Sequence, residues 1–440
     1  MKILHISAHL GGGAGKAITG LINSIIDNEI IHEIVVLEKA EKTIYFDELI
    51  ANNVKVFYLD EIKDFNTYLG EFDLIILNWW NHPKMVDLFM KFPKTPIRII
   101  IWSHVNGCTY PFLPFSYIKY VNKFIFTCYY SYDNHLWNEI ESNMINKETE
   151  VVFGFGDFNP KKIQYKKCYK TINNNIRIGY VGTLNYSKLN KHFVKYCEKI
   201  VESVNNVEFI LYGDIDSELM SDIRGSVYNN KFICKGYCNN IEKELLGLDI
   251  FGYPLNLENY ATTENSILEA MAAGLPIVAI NQNTEKYIIE NNNSGFLVRD
   301  MEDYAIKILL LCNNIDLREK MGKSARKKVI EKFNFEENLK NYINICKSVF
   351  NEPKREICFN KIIGHTIIEY FLYFAGPYRK EFEEILITKK LRLFDRIPDI
   401  FLGDTKGSVT HFVNTFSTDA DLNKLKTLLD EYLKIKKENL

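Results

Sequence analysis

What the sequence lacks excludes several classes of protein. Lys and Arg number 54 against 56 Asp and Glu, so no general excess of positive charge is available to bind a polyanion. The nine cysteines are scattered and odd in number, which suits reduced thiols better than a disulfide framework. No window reaches the roughly eighteen uninterrupted apolar residues of a membrane-spanning helix, and the first residues lack a secretion-signal pattern. We therefore predict a cytoplasmic protein that does not bind nucleic acid.

Metal-ligand spacings are missing as well. Cys234 and Cys238 are close to a Cys-x-x-Cys pair without matching it, and no second cysteine pair follows. The histidines, among them His5, His9 and His82, show no ligand spacing along the chain. The sequence therefore predicts no metal site.

What the sequence does contain is a repeated alternation of apolar strands and helices. The length of 440 residues exceeds one ordinary core and indicates at least two domains. The apolar runs that we predict as strands lie at residues 2–7, 34–37, 54–59, 73–77, 97–101 and 124–128, and then at 177–181, 207–212, 231–234, 249–253 and 276–280. Such alternation is typical of parallel sheets covered by helices on both faces. We predict an α/β protein of two doubly wound Rossmann-like domains facing a cleft.

Domain boundaries follow from shifts in composition. We predict a Rossmann-like domain at 1–155, a linker at 156–175, a second Rossmann-like domain at 176–335 and a helical C-terminal extension at 336–440. The extension is rich in aromatic and charged residues, and two hypotheses stay open for it. Its helices pack back on the domains, or its side chains rest on a membrane surface. The side chains in question are Tyr370, Phe371, Tyr373, Phe374, Arg379, Lys380, Lys389, Lys390 and Arg392.

A glycine-rich loop follows the first strand at residues 11–15. A nucleotide P-loop fails here because Leu10 stands where its first glycine is needed and Ala17 where its Ser or Thr is needed. A dinucleotide fingerprint lacks its third glycine, since the candidate positions are Lys16 and Ile18, although Glu38 stands where a ribose-binding acid could lie. The remaining interpretations are a close approach of backbone to a ligand and a tight structural turn.

Residues 259–279 read as a loop, a capped helix and a buried strand in succession. Thr262 and Thr263 are candidate capping residues, residues 264–273 are strong helix formers, and Gly274 ends the helix. The start of a helix favours an anion such as phosphate. A purely structural capped helix is the alternative.

The order of these motifs resembles the retaining nucleotide-sugar glycosyltransferases of the GT-B fold, glycosyltransferase family 4 in particular. The resemblance runs from residue 1 to about residue 350. Its motifs lie at residues 11–15, 179–184 with Lys188, 211–213, 248–254, 259–279 and 293–298.

The resemblance implies a donor site in the second domain. Glu269 matches the second glutamate of the family's Glu-x7-Glu motif and would accept hydrogen bonds from ribose hydroxyls. Ala261 replaces the first glutamate, so either Glu264 contacts the sugar or the phosphate loop, or Thr262, Thr263 and Asn265 take over these contacts; a capping role for Glu264 is the alternative. The other residues implied in donor binding are Gly12, Gly13, Thr183, Lys188, Gly213, Thr262, Thr263 and Asn265. Thr183 stands where the family usually has an arginine, so diphosphate stabilisation would depend more on Lys188 and on helix ends.

In the first domain the resemblance implies a sugar contact and an acceptor side. His104 is similar to the family histidine that reaches the donor sugar, and we group it with Lys188 and Glu264 as catalytic. Trp79, Trp80 and Asn81 follow another strand and are expected to line the acceptor side. Burial of the two tryptophans in the core is the alternative.

Asp214 and Asp216 have the spacing of an Asp-x-Asp metal site. The resemblance argues against that function, because this fold class neutralises phosphate with protein groups and helix ends.

The function that the sequence predicts is retaining transfer of a sugar from a nucleotide-diphosphate sugar to an acceptor hydroxyl, in glycan or surface polysaccharide synthesis. The acceptor would be a glycan, lipid-linked or protein substrate, with peripheral contact at the inner face of the membrane as a further expectation. No cofactor is expected. A nucleotide-sugar epimerase, a non-catalytic sugar-nucleotide or glycan-binding protein and an NAD-dependent oxidoreductase are the alternatives.

Overall fold

The computed structural model describes the chain apart from residues 26–28, 167–174, 239, 258–261, 389–396, 399–400, 402, 404–406 and 439–440. It divides into two compact units. The first unit contains Met1–Asp157 and Glu337–Leu440, and the second contains Phe158–Glu336. The C-terminal segment therefore belongs to the same unit as the N-terminal one.

The first unit is built on a seven-stranded sheet in the order β3-β2-β1-β4-β5-β6-β7, in which every neighbouring pair is parallel. Its strands are β1 (Lys2–Ser7), β2 (Ile31–Val36), β3 (Lys55–Tyr58), β4 (Leu74–Trp79), β5 (Ile99–Ser103), β6 (Lys123–Phe126) and β7 (Thr149–Val151). Ser7 lies opposite both Val36 and Asn78. The residues that follow β1, β2 and β4 are therefore brought to one edge of the sheet.

In the described part of the first unit, six helices lie between these strands. They are α1 (Gly12–Asn23), α2 (Ile44–Ala51), α3 (Phe65–Gly70), α4 (Pro83–Met90), α5 (Phe115–Ile118) and α6 (Ser142–Glu148). The sequence favours the start of helix α4 at Pro83. A proline suits the first turn, and the side chain of His82 caps the helix by accepting a hydrogen bond from the Lys84 amide.

The second unit contains a six-stranded parallel sheet in the order β10-β9-β8-β11-β12-β13. Its strands are β8 (Ile176–Val181), β9 (Val207–Tyr212), β10 (Phe232–Gly236), β11 (Ile250–Tyr253), β12 (Ile277–Ile280) and β13 (Gly295–Val298). Its helices are α7 (Phe193–Ser203), α8 (Ser217–Gly225), α9 (Ile241–Leu245), α10 (Asn265–Ala273), α11 (Glu285–Ile288), α12 (Met301–Cys312) and α13 (Ile315–Lys332).

The chain continues as helices after the second sheet. These are α14 (Phe335–Phe350), α15 (Asn360–Ile363), α16 (Ile367–Phe374), α17 (Arg379–Thr388), α18 (Val409–Thr415) and α19 (Ala420–Glu438). Short 3-10 turns occur at Leu59–Glu61, Tyr129–Asp133, His135–Trp137, Asn229–Lys231 and Gly376–Tyr378. Two helix-covered parallel sheets and a helical C-terminal region confirm the predicted fold class.

The C-terminal helices complete the hydrophobic core of the first unit. Tyr342 and Val349 of α14 join one core cluster, which contains Ile3 and Ile76 of the sheet. The later helices join the other cluster. In it the ring of Phe359 stacks on that of Phe89 with centroids 4.2 Å apart. Burial of each such ring contributes about 1.5–3 kcal/mol, so the extension stabilises the first sheet.

This packing supports the first hypothesis for the extension, because most of the aromatic side chains proposed to touch a membrane are buried in the protein. The side chains of Tyr370, Phe371 and Phe374 are fully buried, and that of Tyr373 is partly buried. Arg379 forms an ion pair with Glu383 on its own helix. The predicted contacts Lys389, Lys390 and Arg392 lie outside the described residues. Among the described helices, none combines the length and the apolar character needed to cross a bilayer.

Candidate active site

An ion pair between a partly buried lysine and a buried glutamate lies at the carboxyl edge of the second sheet. Lys188 follows β8, and its Nζ atom lies 3.1 Å from Oε2 of Glu264. The hydroxyl of Tyr253, the last residue of β11, donates to the same oxygen at 2.5 Å. Strands β8 and β11 are neighbours, so their ends bring these groups together. Glu264 is only 6% exposed, and two donors stabilise its carboxylate in that position.

Glu264 is held in a backbone conformation that is rare for its residue type. It occupies the N-cap position of α10 with φ of 47° and ψ of 57°, in the left-handed region. Its side chain makes no capping hydrogen bond to the helix and points to Lys188 instead. The helix therefore begins one residue later than predicted, and Glu264 rather than Thr263 is the N-cap. Gly274 ends the helix in the left-handed conformation, as expected.

The other predicted donor-binding residues of the second unit are spread along the same edge. Glu269 is buried on α10, Thr263 is buried just before that helix, and Thr262 is partly buried. Asn265 starts α10, and its Oδ1 atom is buried without a hydrogen-bond partner in the described part of the chain. Ala261 lies outside the described residues.

Thr183 and Gly213 follow the neighbouring strands β8 and β9. The Thr183 side chain is exposed, while its carbonyl accepts a hydrogen bond from the Tyr180 hydroxyl. Gly213 has φ of 141°, and a Cβ atom there would collide with the Gly182 carbonyl. This glycine is thus needed for close packing of the two loops.

A second buried carboxyl group near Glu264 was missed from the sequence. Glu285, the first residue of α11, is 1% exposed. Burial, together with the nearby Glu264 carboxylate, raises the pKa of Glu285 to about 8. Its Oε1 atom accepts a hydrogen bond from Gln282 at 3.5 Å. Nothing in the local sequence signals this burial, because it is created by packing between distant segments.

In the first unit the predicted glycine contacts lie at the start of α1. Gly12 has φ of 59°, and both Gly12 and Gly13 are exposed. A Cβ atom built at either position would meet no atom of the described residues within 4 Å. The described part of the chain thus leaves space for a ligand to approach the first amide groups of the twelve-residue helix α1.

His104 follows β5 and lies beside Asn78 of the adjacent strand β4. Its Nε2 atom is 3.4 Å from Asn78 Oδ1. Burial lowers the pKa of His104 to about 3, so the ring is neutral at physiological pH. The Asn78 side chain is fully buried, and its Nδ2 atom lies 3.5 Å from Nδ1 of His5.

The two adjacent tryptophans have different surroundings. Trp79 is fully buried and packs on Phe374, with centroids 4.9 Å apart. Trp80 lies among imidazole rings, with centroids 5.2 Å from His9 and 6.1 Å from His104. Both tryptophans are buried and belong to the same hydrophobic core cluster, as the alternative expected, and Trp80 additionally lies beside imidazole rings at the sheet edge.

Asn81 is also buried at this edge. Its Nδ2 atom donates to the Tyr110 hydroxyl at 2.8 Å, whereas its Oδ1 atom has no hydrogen-bond partner among the described residues.

Three potential metal ligands meet at the same edge although they are distant in sequence. One ligand atom each of His9, Glu38 and His82 lies within 4.8 Å of the others. Glu38 Oε1 is 3.1 Å from His82 Nε2, and hydrogen bonding by His82 lowers the pKa of Glu38. Spacing along the chain did not reveal this group, because its members follow different strands.

The hydrogen bonds of His82 define which of its nitrogens carries the proton. Its Nδ1 atom accepts the Lys84 amide at 3.2 Å, so Nε2 of the neutral ring carries the proton and donates to Glu38. A metal bound to Nε2 would displace the proton of that atom. The neutral ring would then carry its proton on Nδ1, which could no longer accept the hydrogen bond from the Lys84 amide. The arrangement is that of a hydrogen-bonded Glu38–His82 pair.

The Asp-x-Asp segment contributes to local structure. Asp216 is the N-cap of α8 and accepts the Leu219 amide at 2.8 Å. Its carboxylate stabilises the helix start.

Comparison with known proteins agrees with the geometry of the second unit. Residues 175–314 match the family model of group 1 glycosyl transferases. The capsular polysaccharide biosynthesis glycosyltransferase CapM of Staphylococcus aureus is 27% identical over 208 residues, which cover 44% of this chain and 54% of CapM. The poly(ribitol-phosphate) alpha-N-acetylglucosaminyltransferase of S. aureus strain COL is 28% identical over 179 residues, which cover 39% of this chain and 35% of that protein. The matches thus span about half or less of these relatives.

Solved structures show the same fold across most of the chain. Anabaena HepE (Alr3699) in complex with UDP has a TM-score of 0.62 at 15% identity, covering 79% of this chain and all of HepE. A variant of S. aureus TarM in complex with fondaparinux, alpha-GlcNAc-glycerol and UDP has a TM-score of 0.59 at 15% identity, covering 80% of this chain and all of that one.

The fold is therefore the GT-B fold. Within that class the chain resembles the group 1 glycosyl transferases, and this predicted resemblance is confirmed. The epimerase alternative gains no support from these matches.

Proposed function

We propose that this protein is a retaining glycosyltransferase that moves a sugar from a nucleotide-diphosphate sugar to an acceptor hydroxyl in polysaccharide synthesis. The observation that carries the proposal is the Lys188–Glu264 pair at the carboxyl edge of the sheet that matches the family model. Glu264 orients Lys188 through one of its three N–H donors, which leaves donors for the diphosphate. Relatives matched in sequence include transferases of capsule and poly(ribitol-phosphate) synthesis, which supports a cell-surface glycan as the product.

The proposed mechanism needs no separate protein base. Lys188 would stabilise the departing diphosphate, which would receive the proton of the acceptor hydroxyl as that oxygen attacks the same face of the sugar. In the first unit, burial keeps His104 neutral and suits it to contact a sugar hydroxyl. Glu269 would accept hydrogen bonds from the ribose. We propose that these protein groups supply the charge compensation without a metal ion or cofactor.

The acceptor would bind at the carboxyl edge of the first sheet. Trp80 is 8% exposed, and its ring lies beside those of His9 and His104 at this edge, where we propose that it contacts the acceptor. The acceptor class that we propose is therefore a glycan, either free or attached to a lipid or protein.

A transfer assay tests the proposal. The purified chain is incubated with a panel of nucleotide sugars, starting with UDP-sugars because HepE and TarM were solved with UDP, and with glycan and polyol-phosphate acceptors. Mass spectrometry should detect a glycosylated acceptor, NMR should show that its anomeric configuration equals that of the donor, and EDTA should not reduce the rate. An inverted product would contradict the retaining mechanism, and donor binding without transfer to any acceptor would favour a non-catalytic binding protein.

A further inference from the structure

The strongest unassigned feature is a buried line of polar side chains beneath the first sheet edge. It runs from His104 through Asn78 and His5 to His32. The distances are 3.4 Å between His104 Nε2 and Asn78 Oδ1, 3.5 Å between Asn78 Nδ2 and His5 Nδ1, and 3.1 Å between His5 Nε2 and His32 Nδ1. Tyr342 of α14 also contacts the line, with its hydroxyl 3.5 Å from His5 Nε2.

The orientation of the Asn78 amide is set by the backbone. Its Nδ2 atom lies 3.5 Å from the carbonyl oxygen of Ile6, which can only accept a hydrogen bond. The amide nitrogen must therefore face Ile6, and the amide oxygen must face His104. Flipping the amide would place two acceptors against each other in a fully buried position.

The amide orientation determines where the protons lie in the neighbouring rings. His104 faces an oxygen that only accepts, so its Nε2 atom must carry a proton. On the other side, Asn78 donates to Nδ1 of His5, so the proton of His5 is on Nε2 and is donated to His32. Burial lowers the pKa of His5 well below its usual value and that of His32 to about 4, which keeps both rings neutral.

We infer that Asn78 is a positioning residue that holds the proton of His104 on Nε2 and thereby presents Nδ1 as a fixed hydrogen-bond acceptor for a hydroxyl of the bound sugar. Nδ1 of His104 has no hydrogen-bond partner within the described part of the chain, and His104 is partly exposed, so this atom is not fully enclosed by protein. A neutral acceptor binds a hydroxyl proton and cannot donate to a phosphate or ring oxygen. This inference rests on the proposed transfer reaction for its substrate, but its proton assignment is independent of that reaction.

The proton assignment can be tested without any substrate. In protein labelled with ¹⁵N-histidine, the His104 signals, identified by their loss in His104→Asn, should show protonated Nε2 and unprotonated Nδ1 at neutral pH. Asn78→Leu, which removes both amide groups at similar size, should give signals averaged between the two tautomers. Asn122→Leu is the control, because Asn122 is a partly buried asparagine of the same unit whose side-chain hydrogen bonds, within the described part of the chain, are with Ile99 and Glu352. A wild-type His104 with protonated Nδ1 would overturn the inference.

Transfer rates test the role of Nδ1. Asparagine at position 104 can keep an acceptor atom near the place of Nδ1, whereas glutamine reaches towards that of Nε2. We expect His104→Asn to retain about tenfold more activity than His104→Gln, and Asn78→Leu to lose about tenfold. The reverse order of the two His104 variants would overturn the assigned acceptor. If wild type transfers no sugar while the tautomer is as inferred, the proposed function fails and the positioning by Asn78 stands.

Discussion

The carboxyl edges of the two parallel sheets carry different chemistry on the same architecture. At the first edge the polar groups are imidazoles and an amide near Trp80, and His104 is kept neutral by burial. At the second edge the central feature is an ion pair, Lys188 with Glu264, beside the buried Glu285. Neutral groups and an aromatic ring suit sugar hydroxyls, whereas a lysine suits a diphosphate. The comparison teaches that the fold provides the edge and that the residues after each strand decide which part of the substrates it binds.

The largest effect is expected when the two adjacent tryptophans of the first edge are replaced one at a time. Trp79→Ala should lower the free energy of unfolding by about 3–5 kcal/mol, because it empties a fully buried site in the core. Trp80→Ala also removes a ring of the same core cluster, but it should in addition raise the KM for the acceptor, because this ring lies beside the polar groups of the edge. Urea denaturation and steady-state kinetics measure both effects. An unchanged acceptor KM in Trp80→Ala would remove Trp80 from the acceptor site.

The second edge depends on the charge of Lys188. Lys188→Ala should reduce turnover by about two orders of magnitude, since it removes the cation proposed to stabilise the leaving diphosphate. Lys191→Ala, which removes an exposed lysine of the same loop, serves as the control and should stay within about twofold of wild type. Equal losses in the two variants would mean that general charge, and not this ion pair, matters.

The sequence predicts those features of the two edges that neighbouring residues determine, and it misses those that depend on contacts between distant residues. Strand β9 was predicted with its observed ends, because a continuous apolar run marks a buried strand. Lys188 was found through the family motif. Trp79 and Trp80 could not be told apart, because both faces of a helix-covered sheet are buried and apolar periodicity gives no direction. Glu285 and the Glu38–His82 pair were beyond prediction, since their environments arise from contacts between residues far apart in the chain.

The buried Glu285 predicts a pH dependence of stability. Its pKa is about 8 in the folded state, whereas an unfolded glutamate titrates near 4.3. Between these values the folded state holds a proton that the unfolded state has released, so the free energy of unfolding falls as pH rises. Glu285→Gln cannot titrate at this position. As the pH rises from 5 to 8, its Tm relative to that of wild type should therefore increase by about a few degrees. Glu290→Gln, which changes an exposed glutamate, is the control. If Tm changed with pH in the same way in all three proteins, the raised pKa of Glu285 would be refuted.

The smallest effect concerns the Asp-x-Asp segment of the second unit. Asp216→Ala should lower the free energy of unfolding by about 1 kcal/mol, because it removes the cap of α8. Asp216→Asn, which keeps a capping oxygen, should lose less. Turnover of both variants should match wild type at temperatures where they are folded. Loss of activity that is restored by added divalent metal would show instead that the segment binds a metal.

We propose that the donor binds at the second edge and the acceptor at the first. Calorimetric measurement of donor affinity in two variants, one at each edge, tests this difference most directly. Titration of a donor identified in the transfer assay should give a Kd raised at least about tenfold in Lys188→Ala, because a charge-assisted contact to the diphosphate is lost. In Trp80→Ala the donor Kd should remain within about twofold of wild type. A donor Kd that is unchanged in Lys188→Ala and raised in Trp80→Ala would contradict the assignment of the donor to the second edge.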